Sequence, residues 1–197
     1  MSSASVMQLR GSADIPRSAA SRFRKELVNL VPKLRAFAHM LCLEHHLAET
    51  LVKKAFARAW RTQRHPANGS GLTIWVFRIF HEEFRSHSRQ NAGKGLRYRG
   101  ICWNEFAGER GEEPVSGLTA GIVKGLAALS DSQREALILI SAAGFACEDV
   151  AEICGTQPRT AKSRAVRART TLMKILESDE AFGNSDAIEE QAGGWTA

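Results

Sequence analysis

Arginine, lysine and hydroxyl side chains near the C-terminus of the chain have the spacing of one helix face. Six of them fall within nine positions: Arg159, Thr160, Lys162, Ser163, Arg164 and Arg167. Guanidinium, ammonium and hydroxyl groups donate hydrogen bonds to phosphates and to base edges in the major groove of DNA. The sequence therefore predicts a DNA-binding face here.

The residues around this cluster predict the helix-turn-helix that would position it. A short amphipathic segment ends at Cys154 and is followed by Gly155, which can adopt the left-handed conformation that ends a helix. We expect Thr156 to cap the next helix and Pro158 to lie in its first turn. The apolar stripe of that second helix, which we expect to pack inward, comprises Ala161, Ala165, Ala168, Leu172, Ile175 and Leu176.

The overall charge agrees with a polyanionic partner. The 197 residues carry a formal net charge of +6, and the pI is near 9.5. No run of eighteen or more apolar residues occurs, so no membrane span is predicted. The polar N-terminus lacks the apolar core of a signal peptide, and we expect the protein to stay in the cytoplasm.

The candidate metal and catalytic groups do not form a recognisable site in the sequence. The four cysteines lack short paired spacings and are interpreted as buried thiols: Cys42, Cys102, Cys147 and Cys154. Cys42 lies near His45 and His46, but no second cluster completes a tetrahedral set, so we expect no metal site. Neither a catalytic arrangement nor a phosphate-binding glycine loop is present, so we expect no enzyme activity and no cofactor.

Helical periodicity predicts an all-α fold of two small helical bundles joined by a flexible linker. We assign residues 1–20 to a disordered N-terminus, 21–90 to an N-terminal bundle and 91–116 to a linker rich in glycine and charge. Residues 117–177 form the C-terminal bundle with the helix-turn-helix, and 178–197 form an acidic tail.

The third predicted helix combines aromatic and basic residues. Trp75 is accompanied by Arg78, Arg85 and Arg89. Aromatic rings beside arginines can stack on the bases of single-stranded nucleic acid. The alternative is that the aromatic residues form the core of the bundle and the arginines lie on its surface.

Several segments resemble the extracytoplasmic-function (ECF) sigma factors of bacterial RNA polymerase, and most closely the general-stress-response subgroup. The segments that carry the resemblance are Leu34–Ala38, Phe56–Trp60, Trp75–Ile79, Asp131–Leu139, Ala151–Gly155 and Lys162–Arg164. The resemblance implies three partners, which are core RNA polymerase, promoter DNA and an anti-sigma factor.

The resemblance also implies a role for each group of residues. The C-terminal helix-turn-helix would read the −35 promoter element with the six residues named above. Trp75, Arg78, Arg85 and Arg89 would contact the −10 element. The second helix would bind core polymerase through a set of five residues: Thr50, Leu51, Lys53, Lys54 and Arg58.

The polymerase-binding helix departs from the family pattern. Related chains usually carry acidic or amide residues where this chain has Thr50 and the Lys53-Lys54 pair. Two functions therefore follow. The chain is a sigma factor that initiates at stress promoters, or it is a sigma-like decoy that binds an anti-sigma factor or DNA without efficient initiation. A plain helix-turn-helix repressor would leave the N-terminal resemblance unexplained.

Overall fold

The computed structural model describes residues 17–62, 69–91 and 117–192, and the side chains of residues 21–62, 71–90 and 121–178. The described residues form seven α-helices. In the N-terminal half they are α1 (Arg17–Cys42), α2 (His45–Thr62) and α3 (Gly69–Asn91), which we call the front unit. In the C-terminal half they are α4 (Gly117–Ala128), α5 (Asp131–Ser141), α6 (Cys147–Cys154) and α7 (Pro158–Ala192), which we call the rear unit.

The front unit is held together by the apolar stripes of its three helices. Phe37 of α1 packs against Phe77 and Phe80 of α3, with ring centroids 5.2 and 5.5 Å apart. Ala55 and Ala59 of α2 are fully buried beside them. Burying this much aromatic surface is the main source of stability for a three-helix unit.

The rear unit wraps its short helices around the first part of α7. The two helices approach closely at Gly125 of α4, where a Cβ atom would lie only 2.2 Å from Leu172 Cδ1 of α7. Arg134 of α5 is 0% exposed. Its guanidinium donates to the Leu126 carbonyl at 3.1 Å and to Asp131 Oδ1 at 2.7 Å, which compensates for the burial of a charge.

The front and rear units share one hydrophobic core. The largest apolar cluster contains buried residues of α1, α2 and α3 together with six from the rear unit: Ile138, Leu139, Phe145, Val150, Ile153 and Ala161. The ring of Phe145, in the turn before α6, packs edge-on against Phe77 with centroids 4.9 Å apart. The all-α fold with a C-terminal helix-turn-helix is confirmed, and the structure adds that the two units lie in direct contact.

The helix ends differ from the sequence prediction in two places. α1 begins at Arg17, so the helix includes four residues that we had assigned to the disordered N-terminus. α7 continues to Ala192, well past the predicted end of the C-terminal bundle at residue 177. The predicted linker lies largely outside the described residues, as do residues 1–16. Within the part of the chain that is described, no helix is both long and apolar enough to cross a membrane.

Candidate nucleic-acid interface

The turn between α6 and α7 fixes the direction of the basic helix. Gly155 has φ 60° and ψ 44°, the left-handed conformation predicted for it, and it ends α6. The Thr156 N–H donates to the Ala151 carbonyl at 2.9 Å, which satisfies one of the last carbonyls of α6. The turn thus ends one helix and redirects the chain within three residues.

The start of α7 corrects one sequence prediction. The helix begins at Pro158, as expected for a residue whose missing N–H has no partner in a first turn. The residue directly before the helix is Gln157, whose carbonyl accepts the N–H of Thr160 at 2.9 Å and of Ala161 at 3.0 Å. Thr156 lies one residue too early to be the N-cap, so that prediction was wrong.

The two faces of α7 separate as the spacing predicted. Ala161, Ala165 and Ala168 are buried against the rest of the rear unit. The opposite face carries the predicted −35 residues, of which three are exposed and three half-buried. The exposed ones are Arg159, Lys162 and Arg167, and the half-buried ones are Thr160, Ser163 and Arg164. Their contact with DNA stays a prediction, and the structure leaves these groups facing solvent.

No acidic side chain among the described residues forms an ion pair with Arg159, Lys162 or Arg167. Their charges are therefore not neutralised within the described structure. A helix face with uncompensated cations attracts a phosphate backbone, because binding releases condensed counterions from the DNA. This arrangement suits the major groove of a duplex.

The residues predicted to contact the −10 element do not form one surface. Trp75 is half-buried and packs against the shared core, so most of its ring serves folding. Arg78 faces the rear unit, with Nη1 4.0 Å from Glu152 Oε1 of α6. Arg85 and Arg89 are exposed. Within the part of the chain that the structure describes, no carboxylate forms an ion pair with these last two.

The residues predicted to bind core polymerase also include both exposed and buried side chains. Thr50, Lys53 and Lys54 are exposed on α2. Leu51 is 1% exposed and belongs to the core, so it cannot contact a partner without unfolding; that assignment was wrong. The helical period places position 51 on the inner stripe of α2 with Ala48, Val52 and Ala55, and this signal was already available in the sequence.

Arg58, the remaining member of that set, is held by two carboxylates of α3. Its guanidinium lies 2.5 Å from Glu82 Oε2 and 3.1 Å from Glu83 Oε1. The sequence alone predicts no partner for Glu82 and Glu83. The structure shows that they bind an arginine of the neighbouring helix.

Glu49 is the acidic residue of α2 nearest to Thr50, but its side chain turns inward. It accepts a hydrogen bond from Arg35 Nε at 2.7 Å, and His39 Nε2 lies 3.1 Å away. Burial alone would raise the pKa of Glu49, but these two partners outweigh it and hold the pKa below its usual value. This acid therefore stabilises the contact of α1 with α2 and is not presented to a partner.

Polar contacts also join the front and rear units. His81 Nδ1 of α3 lies 2.6 Å from Glu135 Oε1 of α5, and both groups are buried. The Ser88 hydroxyl donates to Asp131 Oδ2 at 3.0 Å. Cys154 lies beside Glu135; burial raises the pKa of the Cys154 thiol, and the carboxylate raises it further. None of these pairs was predicted, because their members are far apart in sequence.

Comparison with known proteins agrees with this geometry. The family model described as Sigma-70, region 4 matches residues 122–172, which contain the helix-turn-helix and the basic face. The ECF RNA polymerase sigma factor EcfG of Rhodopseudomonas palustris is 36% identical over 176 residues, covering 87% of this chain and 95% of that protein. The chain belongs to the ECF RNA polymerase sigma factors.

Two further comparisons extend over both units of this ECF sigma factor. The sigma factor RpoE of Bartonella quintana, solved in complex with the anti-sigma factor NepR, has a TM-score of 0.67 and 36% identity. The match covers 80% of this chain and 98% of that one. SigC of Mycobacterium tuberculosis is 30% identical over 69% of this chain and 74% of that protein. As an ECF sigma factor, the protein directs transcription initiation. Members of this family are not enzymes.

Proposed function

We propose that this ECF sigma factor recruits core RNA polymerase to general-stress promoters in the cytoplasm. In this proposal α7 reads the −35 element, and the front unit binds polymerase and the −10 element. The observation that carries it is the exposed cationic face of Arg159, Lys162 and Arg167, placed on the second helix of a helix-turn-helix. The 36% identity with EcfG across both units supports the stress-response assignment.

The contact between the units implies that they separate on a promoter. Arg78, one of the residues predicted to contact the −10 element, lies 4.0 Å from Glu152 of the helix-turn-helix. The two promoter elements, by their numbering, lie about 25 base pairs apart, which is roughly 85 Å of duplex. The 25 residues between Asn91 and Gly117 could span at most about 85 Å when fully extended. We call the arrangement with the two units in contact the closed form and the arrangement with the units apart the open form. The closed form therefore represents the factor away from promoter DNA.

An anti-sigma factor of the NepR kind is the partner proposed for the closed form. RpoE of Bartonella quintana was crystallised with NepR, and 98% of that chain matches this one. We expect purified NepR-type protein to bind this chain and to compete with core polymerase for it.

The direct test is transcription in vitro from a general-stress promoter with purified core polymerase. Wild-type protein should give a core complex on native gels and a specific transcript. Arg167→Ala should weaken promoter binding by about 1–3 kcal/mol if the side chain reads a base. If the side chain contacts a phosphate, the slope of log K for DNA binding against log salt concentration should fall by about one. Lys174→Ala, two turns further along the same exposed face, is the matched control and should change little. Absence of any core complex would refute the proposal.

The exposed lysines of α2 favour one alternative, a sigma-like decoy that binds the anti-sigma factor without efficient initiation. Lys53 and Lys54 are exposed cations, at positions where the family resemblance implies acidic or amide residues that contact polymerase. Like charges at about 4 Å repel by roughly 1 kcal/mol in water and by more when partly buried. Under the decoy function, Lys54→Glu should raise polymerase affinity about tenfold or more. Unchanged affinity would argue against the decoy.

A further inference from the structure

Three helices bring a histidine, a carboxylate and a thiol together where the front and rear units meet. His81 comes from α3, Glu135 from α5, and Cys154 is the last residue of α6. One donor atom from each lies within 4.8 Å of the other two, and the His81 Nδ1 to Glu135 Oε1 distance is 2.6 Å. Glu135 is 3% exposed and His81 is 9% exposed. We call this group the interface triad.

The interface triad lies outside the surfaces assigned above. None of its members belongs to the −35 face of α7 or to the exposed face of α2. The metal ligands suggested by the sequence, Cys42, His45 and His46, are neighbours in the chain. A triad drawn from three separate helices has no such signal in the sequence.

The donor set selects a class of ligand. An imidazole nitrogen, a carboxylate oxygen and a thiolate sulfur are the ligands that Zn²⁺ takes in proteins, and the soft thiolate disfavours Mg²⁺ and Ca²⁺. Tetrahedral zinc with bonds of about 2.0–2.3 Å brings its donors to roughly 3.3–3.8 Å from one another. To form the site, donor atoms that lie as much as 4.8 Å apart must approach by about 1 Å, and His81 Nδ1 and Glu135 Oε1 must separate by about 1 Å. Cys154 is half-buried, so the triad lies near the surface of the described structure.

We propose that His81, Glu135 and Cys154 bind one zinc-class divalent ion, with water as the fourth ligand, and that this ion holds the front and rear units together. On binding, the Cys154 thiol releases its proton to solvent, and His81 binds the ion as a neutral imidazole that keeps one proton on its other ring nitrogen. No electron transfer is involved. The charges of the carboxylate and the thiolate balance the ion.

The ligands come from both units, so the ion binds only when the units are in contact. At a free concentration one hundred times its Kd, the ion raises the closed-to-open ratio about one hundredfold. The consequence for transcription rests on the proposed function, since it requires that promoter binding opens the protein. The binding of the ion does not depend on it.

The experiment is a Co²⁺ titration of the reduced, metal-free, full-length protein. Co²⁺ takes the same ligands as Zn²⁺, and a cobalt–thiolate bond gives a charge-transfer absorption in the near ultraviolet. We expect one equivalent of Co²⁺ to bind and to give this absorption, and we expect added Zn²⁺ to displace the Co²⁺. Cys154→Ser should lose the absorption and weaken binding by about a hundredfold or more. Cys147→Ser, at the other end of α6, is the matched control and should keep both.

Thermal unfolding gives a second readout that does not rely on the spectrum. Zn²⁺ at one hundred times its Kd should raise the Tm of wild-type protein by about 5–10 °C and leave the Tm of Cys154→Ser unchanged. Circular dichroism of each variant without metal checks that it folds. A titration without thiolate absorption in wild type, or an absorption that persists in Cys154→Ser, would overturn the proposal. Neither readout uses polymerase or DNA, so their failure is distinct from failure of the proposed function.

Discussion

Replacing Phe145 by alanine should open the contact between the front and rear units. The ring is 8% exposed and touches the front unit on two sides. It packs edge-on against Phe77 at 4.9 Å, and Lys33 Nζ lies 4.7 Å from its centroid. The backbone hydrogen bond from Phe145 N–H to the Leu139 carbonyl, at 3.0 Å, would survive the substitution. The change therefore removes contacts between the units while leaving the turn intact.

The size of the effect follows from those two contacts. An edge-on aromatic pair contributes about 0.5–1.5 kcal/mol, and a cation over a ring about 0.5–1 kcal/mol. Phe145→Ala should therefore favour the open form by about 1–2.5 kcal/mol. This corresponds to an increase of about five- to sixtyfold in the open-to-closed ratio. The buried apolar area that is lost adds to this value, so it is a lower bound.

Single-molecule energy transfer between dyes at Lys25 of α1 and Lys174 of α7, both exposed, measures that ratio. The population with low transfer should grow in Phe145→Ala relative to wild type. Leu172→Ala is the control, because the Leu172 side chain lies beside Gly125 of α4, another helix of the rear unit. It should lower stability without changing the transfer populations. Equal populations in Phe145→Ala and wild type would show that the ring does not hold the units together.

Three further outcomes concern stability. Gly155→Ala should lower the free energy of unfolding by about 1–2 kcal/mol in urea titrations, because its φ of 60° strains an L-residue. Arg134→Ala should lower the free energy of unfolding by at least about 2 kcal/mol in the same titrations, because it removes the two hydrogen bonds that the buried guanidinium donates to Leu126 and Asp131. Arg134→Met should recover the packing but not these hydrogen bonds. Glu49 has a folded-state pKa held low by Arg35 and His39, so its contribution is present above its unfolded pKa and disappears as the pH falls through its folded pKa. As the pH falls below about 5, the free energy of unfolding of Glu49→Gln should accordingly decrease less than that of wild type. Parallel plots of the two free energies against pH would contradict this.

The local features of the helix-turn-helix could be predicted from the sequence. The left-handed Gly155, Pro158 at the start of α7 and the inward alanines depend on neighbouring residues and on the helical period. The one local error, Thr156 as the N-cap, is a shift of one position, which is the usual uncertainty at helix ends.

The arrangement of the two units could not be predicted in that way. It depends on contacts such as Phe77 with Phe145 and His81 with Glu135, whose partners are more than fifty positions apart and show no periodicity. The same reason explains Arg58, whose bond to Glu82 and Glu83 requires α2 and α3 to lie side by side. The error at Leu51 was of another kind, because there a family role was given priority over the helical period.

The ion pairs of Arg58 change how the protein appears to an approaching macromolecule. Two carboxylates of α3 surround the guanidinium, so this part of the surface contributes no net positive potential at a distance. On either side of Arg58, α2 carries other exposed cations, with Lys53 and Lys54 one turn closer to the start of the helix and Arg61 one turn further on. Long-range attraction or repulsion between α2 and an approaching partner therefore involves these three side chains and not Arg58.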